Sequence, residues 1–340
     1  MIRADDLEHC RAAIKTGSLS FHAASRLLPA SVRDPSLALY AFCRLADDEV
    51  DEGSNKAAAV LRLQDRLDRV YEGTPIDAPE DRAFAAVVEM SEMPRALPDA
   101  LLEGLAWDAD ERRYQTLSDV RSYSARVASA VGAMMCVLMG ARDADVLARA
   151  CDLGVAMQLT NIARDIGEDA RAGRIYLPLS WLVDAEIDTD AFLENPVASP
   201  EVRKMTRSLL GEADRLYRRS EAGINCLPLR ARVGIWAARL IYDGIGKQIR
   251  TQGYDTITRR AHTTKIQKLG WLAQAAGAAA GSVAMPKSAL VFAPPLDEVA
   301  FLVEAGARNS EPPGRAKAVL DILSDLRARE LEAGRRPTSV

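Results

Sequence analysis

The chain has 340 residues, 48% of them hydrophobic and 27% charged, with a formal net charge of −4. This is an ordinary globular composition, long enough for a large core in one or two domains, and its charge implies no general attraction to nucleic acid. The five cysteines, at 10, 43, 136, 151 and 226, are odd in number and scattered, so they form neither a disulfide framework nor a zinc spacing and fit a reducing cytoplasm.

The first ten residues carry Asp5, Asp6 and Glu8 and no apolar stretch, so they do not read as a signal peptide. From there on, helical periodicity dominates and alternating β-branched runs are few, which predicts an all-α fold. Helices are expected over 5–16, 19–27, 34–52, 56–72, 81–91, 98–112, 117–139, 143–169, 201–225, 229–251 and 262–275. Proline and glycine punctuate them, as at Pro29, Gly53, Gly140 and Pro228. No apolar run reaches the span of about 20 residues that a membrane helix needs; the nearest, around 269–285, is Ala/Gly-rich and contains Gln274. The expected location is cytoplasmic, with peripheral membrane contact left open. No repeat is evident. One domain is expected over 1–285, followed by a Pro-rich and helical extension over 286–340 that includes a strongly charged helical segment at 315–333.

Two stretches carry chemistry. In the third helix, Arg44 precedes Asp47, Asp48, Glu49, Asp51 and Glu52. Asp47 and Asp51, four apart, share a face, and like charges so placed destabilise a helix unless water or a counter-cation relieves them. A solvated helix end is the plain alternative. Helical phase turns Glu49 away from that face. In the eighth helix, Gln158, Asn161, Asp165 and Asp169 recur at steps of three, four and four, so four oxygen-bearing side chains line one stripe while Leu159, Ile162 and Ile166 face elsewhere. Two oxygen-rich stripes suit a hard cation such as Mg²⁺, which takes one or two carboxylates per site and completes its shell with water and phosphate. Metal-assisted departure of a diphosphate is the chemistry suggested.

Arg44 with Asp47 and Asp51, and Gln158-x-x-Asn161-x-x-Arg164-Asp165-x-x-x-Asp169, resemble the two aspartate-rich motifs of the squalene/phytoene synthase family. Further pieces fall in family order over about 5–270: Ser20-Phe21, Tyr40, Tyr123 ahead of Val127-Ala128, Gly132, Arg174-Ile175-Tyr176-Leu177-Pro178, Ile241-Tyr242 and Gly253-Tyr254-Asp255. One departure is Ala125, where the family commonly has a second tyrosine; another is Ser129, in place of an inner glycine.

The resemblance implies an isoprenoid-synthase-type helical bundle with a central cavity, its acidic motifs at the mouth and an apolar tunnel below. It implies Mg²⁺, with Mn²⁺ as an alternative, held by Asp47, Asp51, Asn161, Asp165 and Asp169. Substrate contacts are implied for Ser20, Phe21, Tyr40, Arg44, Tyr123, Gln158, Arg164, Tyr242 and Arg259, with the four aspartates and Tyr242 as the catalytic set. Phe21, Tyr40, Val127, Val131, Met134, Met157 and Ile241 are candidates for cavity wall, ordinary packing being the alternative for each. The stretch 241–260 looks like the phytoene-forming branch, which implies head-to-head condensation of two geranylgeranyl diphosphates through a cyclopropyl (prephytoene) diphosphate to phytoene, in carotenoid biosynthesis. No NADPH is expected, because Gly244-Ile245-Gly246 has no third glycine and no preceding strand. Squalene or dehydrosqualene formation from farnesyl diphosphate is the alternative, and a non-catalytic assembly factor a second one, which the intact acidic motifs disfavour. No residue stands out as the proton acceptor.

Overall fold

The computed structural model describes residues 2–52, 56–284, 286 and 288–308, with the side chains of residues 19, 20, 51 and 52 outside that description. The described residues contain helices and turns and no strand. The helices are α1 (Ala4–Gly17), α2 (Leu19–Ser25), α3 (Ala30–Glu52), α4 (Lys56–Tyr71), α5 (Pro79–Ser91), α6 (Ala96–Ala109), α7 (Leu117–Ser124), α8 (Ala130–Leu138), α9 (Ala144–Arg171), α10 (Leu179–Asp184), α11 (Thr189–Glu194), α12 (Pro200–Ile224), α13 (Leu229–Thr251), α14 (Lys265–Ala284) and α15 (Ala300–Gly306).

Local chemistry sets several of these boundaries. Asp143 caps α9 by accepting from the amides of Asp145 and Val146, and Thr116 and Asp119 form a reciprocal capping box on α7. Ser199 caps α12, with Pro200 at its first position. α3 starts one turn earlier than expected, at Ala30, and takes Pro35 into its second turn at the loss of one backbone bond.

The predicted helix over 117–139 is not a single α-helix. Ala125–Ser129 forms a π turn between α7 and α8. It sits where α9 presses closest: a Cβ on Gly154 would lie 2.5 Å from the Ser129 Cα, and Ser129 Oγ donates to the Cys151 carbonyl at 2.7 Å. α9 is the central element, burying Leu147, Val155, Leu159, Ile162 and Ile166 against its neighbours. Its longest packing is with α12, and α13 and α8 flank it.

One compact unit runs to Ala307, so the boundary expected after 285 moves to the end of α15. The physical reason is Arg149, fully buried in α9, whose guanidinium donates to the carbonyls of Leu290 at 2.7 Å and Ala293 at 2.8 Å. The segment 288–307 therefore belongs to the core. The charged segment expected at 315–333 lies outside the described residues. Among those described, no helix is long and apolar enough to cross a membrane.

Candidate active site

A cavity of about 910 Å³ opens between α2, α3, α6, α8, α9 and α13. Its body is apolar, with Leu28, Leu39, Val127, Val131, Met135 and Met157 among the walls. Polar groups gather at one end: Arg44 and Asp47 from α3, Gln158, Asn161 and Arg164 from α9, Tyr242 from α13, and Arg260 from the loop after it. That end is the rim, since the Arg44, Asp47 and Arg260 side chains are each more than two-fifths exposed.

The two acidic stretches thus meet across one opening. Arg44 pairs with Asp48 at 2.5 Å and more loosely with Asp47 at 3.4 Å. Arg164 holds Asp165 through two contacts, at 2.8 and 2.5 Å, and Arg260 reaches the same carboxylate at 2.9 Å and Glu168 at 3.0 Å. Burial favours the neutral acid at Asp165, but the hydrogen bonds and charges of Arg164 and Arg260 outweigh it and hold the carboxyl below its usual range. One turn on, Asp169 behaves oppositely. Burial, with Asp165 and Glu168 nearby, pushes it up to about 7 despite Arg174. Glu49 is bound to Arg66 at 2.9 Å, on the far side of α3 as its phase requires.

The aromatic candidates converge. Phe21 lies 5.5 Å from Tyr242 and 6.4 Å from Tyr40, ring centre to ring centre. Burial raises the Tyr242 phenol to about 12, opposed by Arg164 and by a hydrogen bond with Asn161, so it is a neutral donor at ordinary pH.

Phe21, Tyr40, Arg44, Asp47, Tyr123, Gln158, Asn161, Arg164 and Tyr242 all line the cavity. Asp165 is joined to it through Arg164 and Arg260. Asp169 faces a small gap beside Arg174 and Tyr176. The side chains of Ser20 and Asp51 lie outside the described residues. One expectation is corrected, and two candidates for cavity wall take the packing alternative. Arg259 is exposed and off the cavity, and its neighbour Arg260 takes the place assigned to it. Met134 and Ile241 are fully buried in the core, and Met135 and Ile245 line the wall instead. Asp108, at the end of α6 and followed by Asp110 and Glu111, is a lining carboxylate that the sequence did not single out.

Among the described residues no three His, Cys, Asp or Glu side chains gather closely enough to hold a metal by themselves. The donor set nevertheless fits a hard cation. It consists of carboxylate and amide oxygens, and Asp169 carries a proton affinity raised first by burial and then by the neighbouring Asp165 and Glu168 charges, which a cation would offset.

A family model described as squalene/phytoene synthase matches residues 14–267. A phytoene synthase of Cereibacter sphaeroides is 59% identical over 99% of this chain and 98% of its own length. One of Rhodobacter capsulatus is 58% identical over 97% and 98%. Among solved structures, a dehydrosqualene synthase in complex with a ligand superposes with a TM-score of 0.75 at 32% identity, over 80% of this chain and 96% of its own.

Proposed function

Since this chain belongs to the squalene/phytoene synthase family, we propose that it joins two molecules of geranylgeranyl diphosphate head to head, through a cyclopropyl diphosphate, to give phytoene. It is an enzyme of the prenyltransferase type, and its substrate class is the isoprenoid diphosphates. The observation that carries the reading is the 59% identity to a phytoene synthase over nearly all of both chains. The cavity supports it: an apolar body for long isoprenoid chains beneath a rim of arginines and carboxylates.

Mg²⁺, bound by Asp47, Asp51, Asn161, Asp165 and Asp169, would supply the positive charge that neutralises a departing diphosphate. Arg44, Arg164 and Arg260 donate charge-assisted hydrogen bonds to diphosphate oxygens, while Gln158 and the neutral Tyr242 phenol add uncharged donors. The apolar walls exclude water, which would otherwise quench an allylic cation, and the faces of Phe21, Tyr40 and Tyr242 stabilise positive charge near the rim.

Incubating purified protein with geranylgeranyl diphosphate and Mg²⁺, with NADPH omitted and then added, tests this. Phytoene is expected in both cases, and none after chelation of the metal. Squalene formed only from farnesyl diphosphate with NADPH would overturn the reading.

The product is a pure hydrocarbon, and a bilayer is its natural sink. We place the membrane contact on the free face of α14. Ile266 and Leu269 there are 82% and 65% exposed, Lys265 and Lys268 adjoin them in the sequence, and no charged residue follows from Leu269 to Ala284. An apolar face flanked by cations fits an anionic lipid surface. The protein is expected to pellet with anionic vesicles. The double change Ile266→Ser with Leu269→Ser should cut the bound fraction several-fold and leave turnover of detergent-dispersed substrate unaltered. Equal pelleting of the variant would remove the assignment.

A further inference from the structure

The reaction proposed above ends with the loss of a proton from a carbon cation, and the acceptor must be a base that reaches into an apolar cavity. No histidine lines it among the described residues, and its carboxylates there are Asp47, at the rim, and Asp108. Asp108 closes α6 and is gripped on both oxygens. Tyr123 Oη donates to Oδ2 at 2.7 Å, and Tyr176 Oη donates to Oδ1 at 2.8 Å. The two phenol rings stack at 5.1 Å, and Tyr114 packs against both, at 5.3 and 6.1 Å. This packed aromatic group holds the carboxylate and its donors in one geometry.

The phenol on each carboxylate oxygen offers a relay by which a proton from the cavity reaches Asp108. Tyr123 lines the cavity and Tyr176 does not. Resting on the phytoene-forming reading, we infer that Asp108 is the final proton acceptor of the reaction, with the Tyr123 hydroxyl as the bridge. In the step, the C–H bond beside the cationic carbon breaks and its electron pair becomes the central double bond. The proton passes to Tyr123 Oη as the phenolic proton moves to Asp108 Oδ2. A cation and a carboxylate become a neutral hydrocarbon and a neutral carboxylic acid, which returns its proton to water on product release.

Charge annihilation of this kind is favoured where the dielectric is low. Burial, with Asp108 close by, holds the Tyr123 phenol well above its ordinary range, so the tyrosine stays neutral. Tyr123 acts as the conduit, and Asp108 works through it.

Supplying the cyclopropyl diphosphate directly isolates this last step. Asp108→Asn keeps the shape, with one phenol turned to accept from the amide nitrogen, but cannot accept a proton. It is expected to release diphosphate within about three-fold of the parent rate, with KM little changed, while the hydrocarbon share of forty-carbon product falls at least ten-fold in favour of water-captured alcohols. Asp108→Glu should restore part of the hydrocarbon. Tyr176→Phe, which removes a donor and leaves the acceptor, should keep the parental product ratio, and thermal midpoints of all three show whether the fold is intact. An unchanged hydrocarbon share in Asp108→Asn would overturn the inference and assign the proton to the released diphosphate. Failure of the parent protein to make any forty-carbon product would instead sink the functional reading beneath it.

Discussion

Asp165→Ala is expected to lower turnover by about 10³-fold, because it removes a central carboxylate from the stripe that would bind the cation facing the leaving diphosphate. The fold should survive it. Asp165 sits at the cavity rim between Arg164 and Arg260, and the Arg260 side chain is 45% exposed, so much of the released charge is screened by water. The carboxyl lies below its usual range when folded, so its stabilising contribution is present above the unfolded pKa and is lost as pH falls through the folded one. At neutral pH the variant therefore forfeits a modest contribution, and Asp165→Asn, which keeps a hydrogen-bond acceptor, forfeits less. Asp47→Ala should lose comparable activity with a smaller effect on stability, its side chain being half exposed. Turnover and thermal midpoint measured together decide the matter. A large fall in midpoint with residual activity indifferent to added Mg²⁺ would make these acids structural.

The stripe was legible because helical phase relates residues that are close in sequence. Gln158, Asn161, Asp165 and Asp169 need only the period of 3.6 to fall on one side of α9. Phase was ambiguous where two neighbours straddle the edge of a face: from Val131, which lines the cavity, Met134 and Met135 lie three and four residues on, and Met135 faces the cavity while Met134 is buried in the core. Ile241 and Tyr242 illustrate a simpler limit: adjacent helical residues diverge by about 100°, so if Tyr242 faces the cavity, Ile241 faces the core. Arg259 and Arg260 follow the last turn of α13 in irregular chain, where no period distinguishes them. Asp108 was invisible for another reason. Its partners are 15 and 68 residues away, and only the tertiary fold brings three side chains from separate segments together. The same holds for the segment 288–307, whose attachment depends on Arg149, 141 residues before the first carbonyl it binds.

That attachment leads to the largest expected effect on stability: Arg149→Met should destabilise the protein by about 3–5 kcal/mol, a fall of about 10 °C in thermal midpoint. Arg149 is completely buried, and burial alone would push its guanidinium toward the neutral form, opposed chiefly by Asp152. The ion pair with Asp152 at 2.7 Å is equally buried, and Arg219 joins it at 3.0 Å while donating to the Pro294 carbonyl at 2.7 Å. Methionine fills much of the space but leaves Asp152 with one cation in place of two and strips the Leu290 and Ala293 carbonyls of their donor. Arg149→Lys should recover only a minor part, since an ammonium cannot reach carboxylate and several carbonyls as a planar fork does. Hydrogen exchange provides the local readout: amides over 289–293 should exchange faster in Arg149→Met, ahead of those in α9. A midpoint within two or three degrees of the parent, or uniform acceleration across the chain, would mean that hydrophobic packing of Val291, Val299 and Leu302 holds this segment and that the buried arginine is dispensable to it.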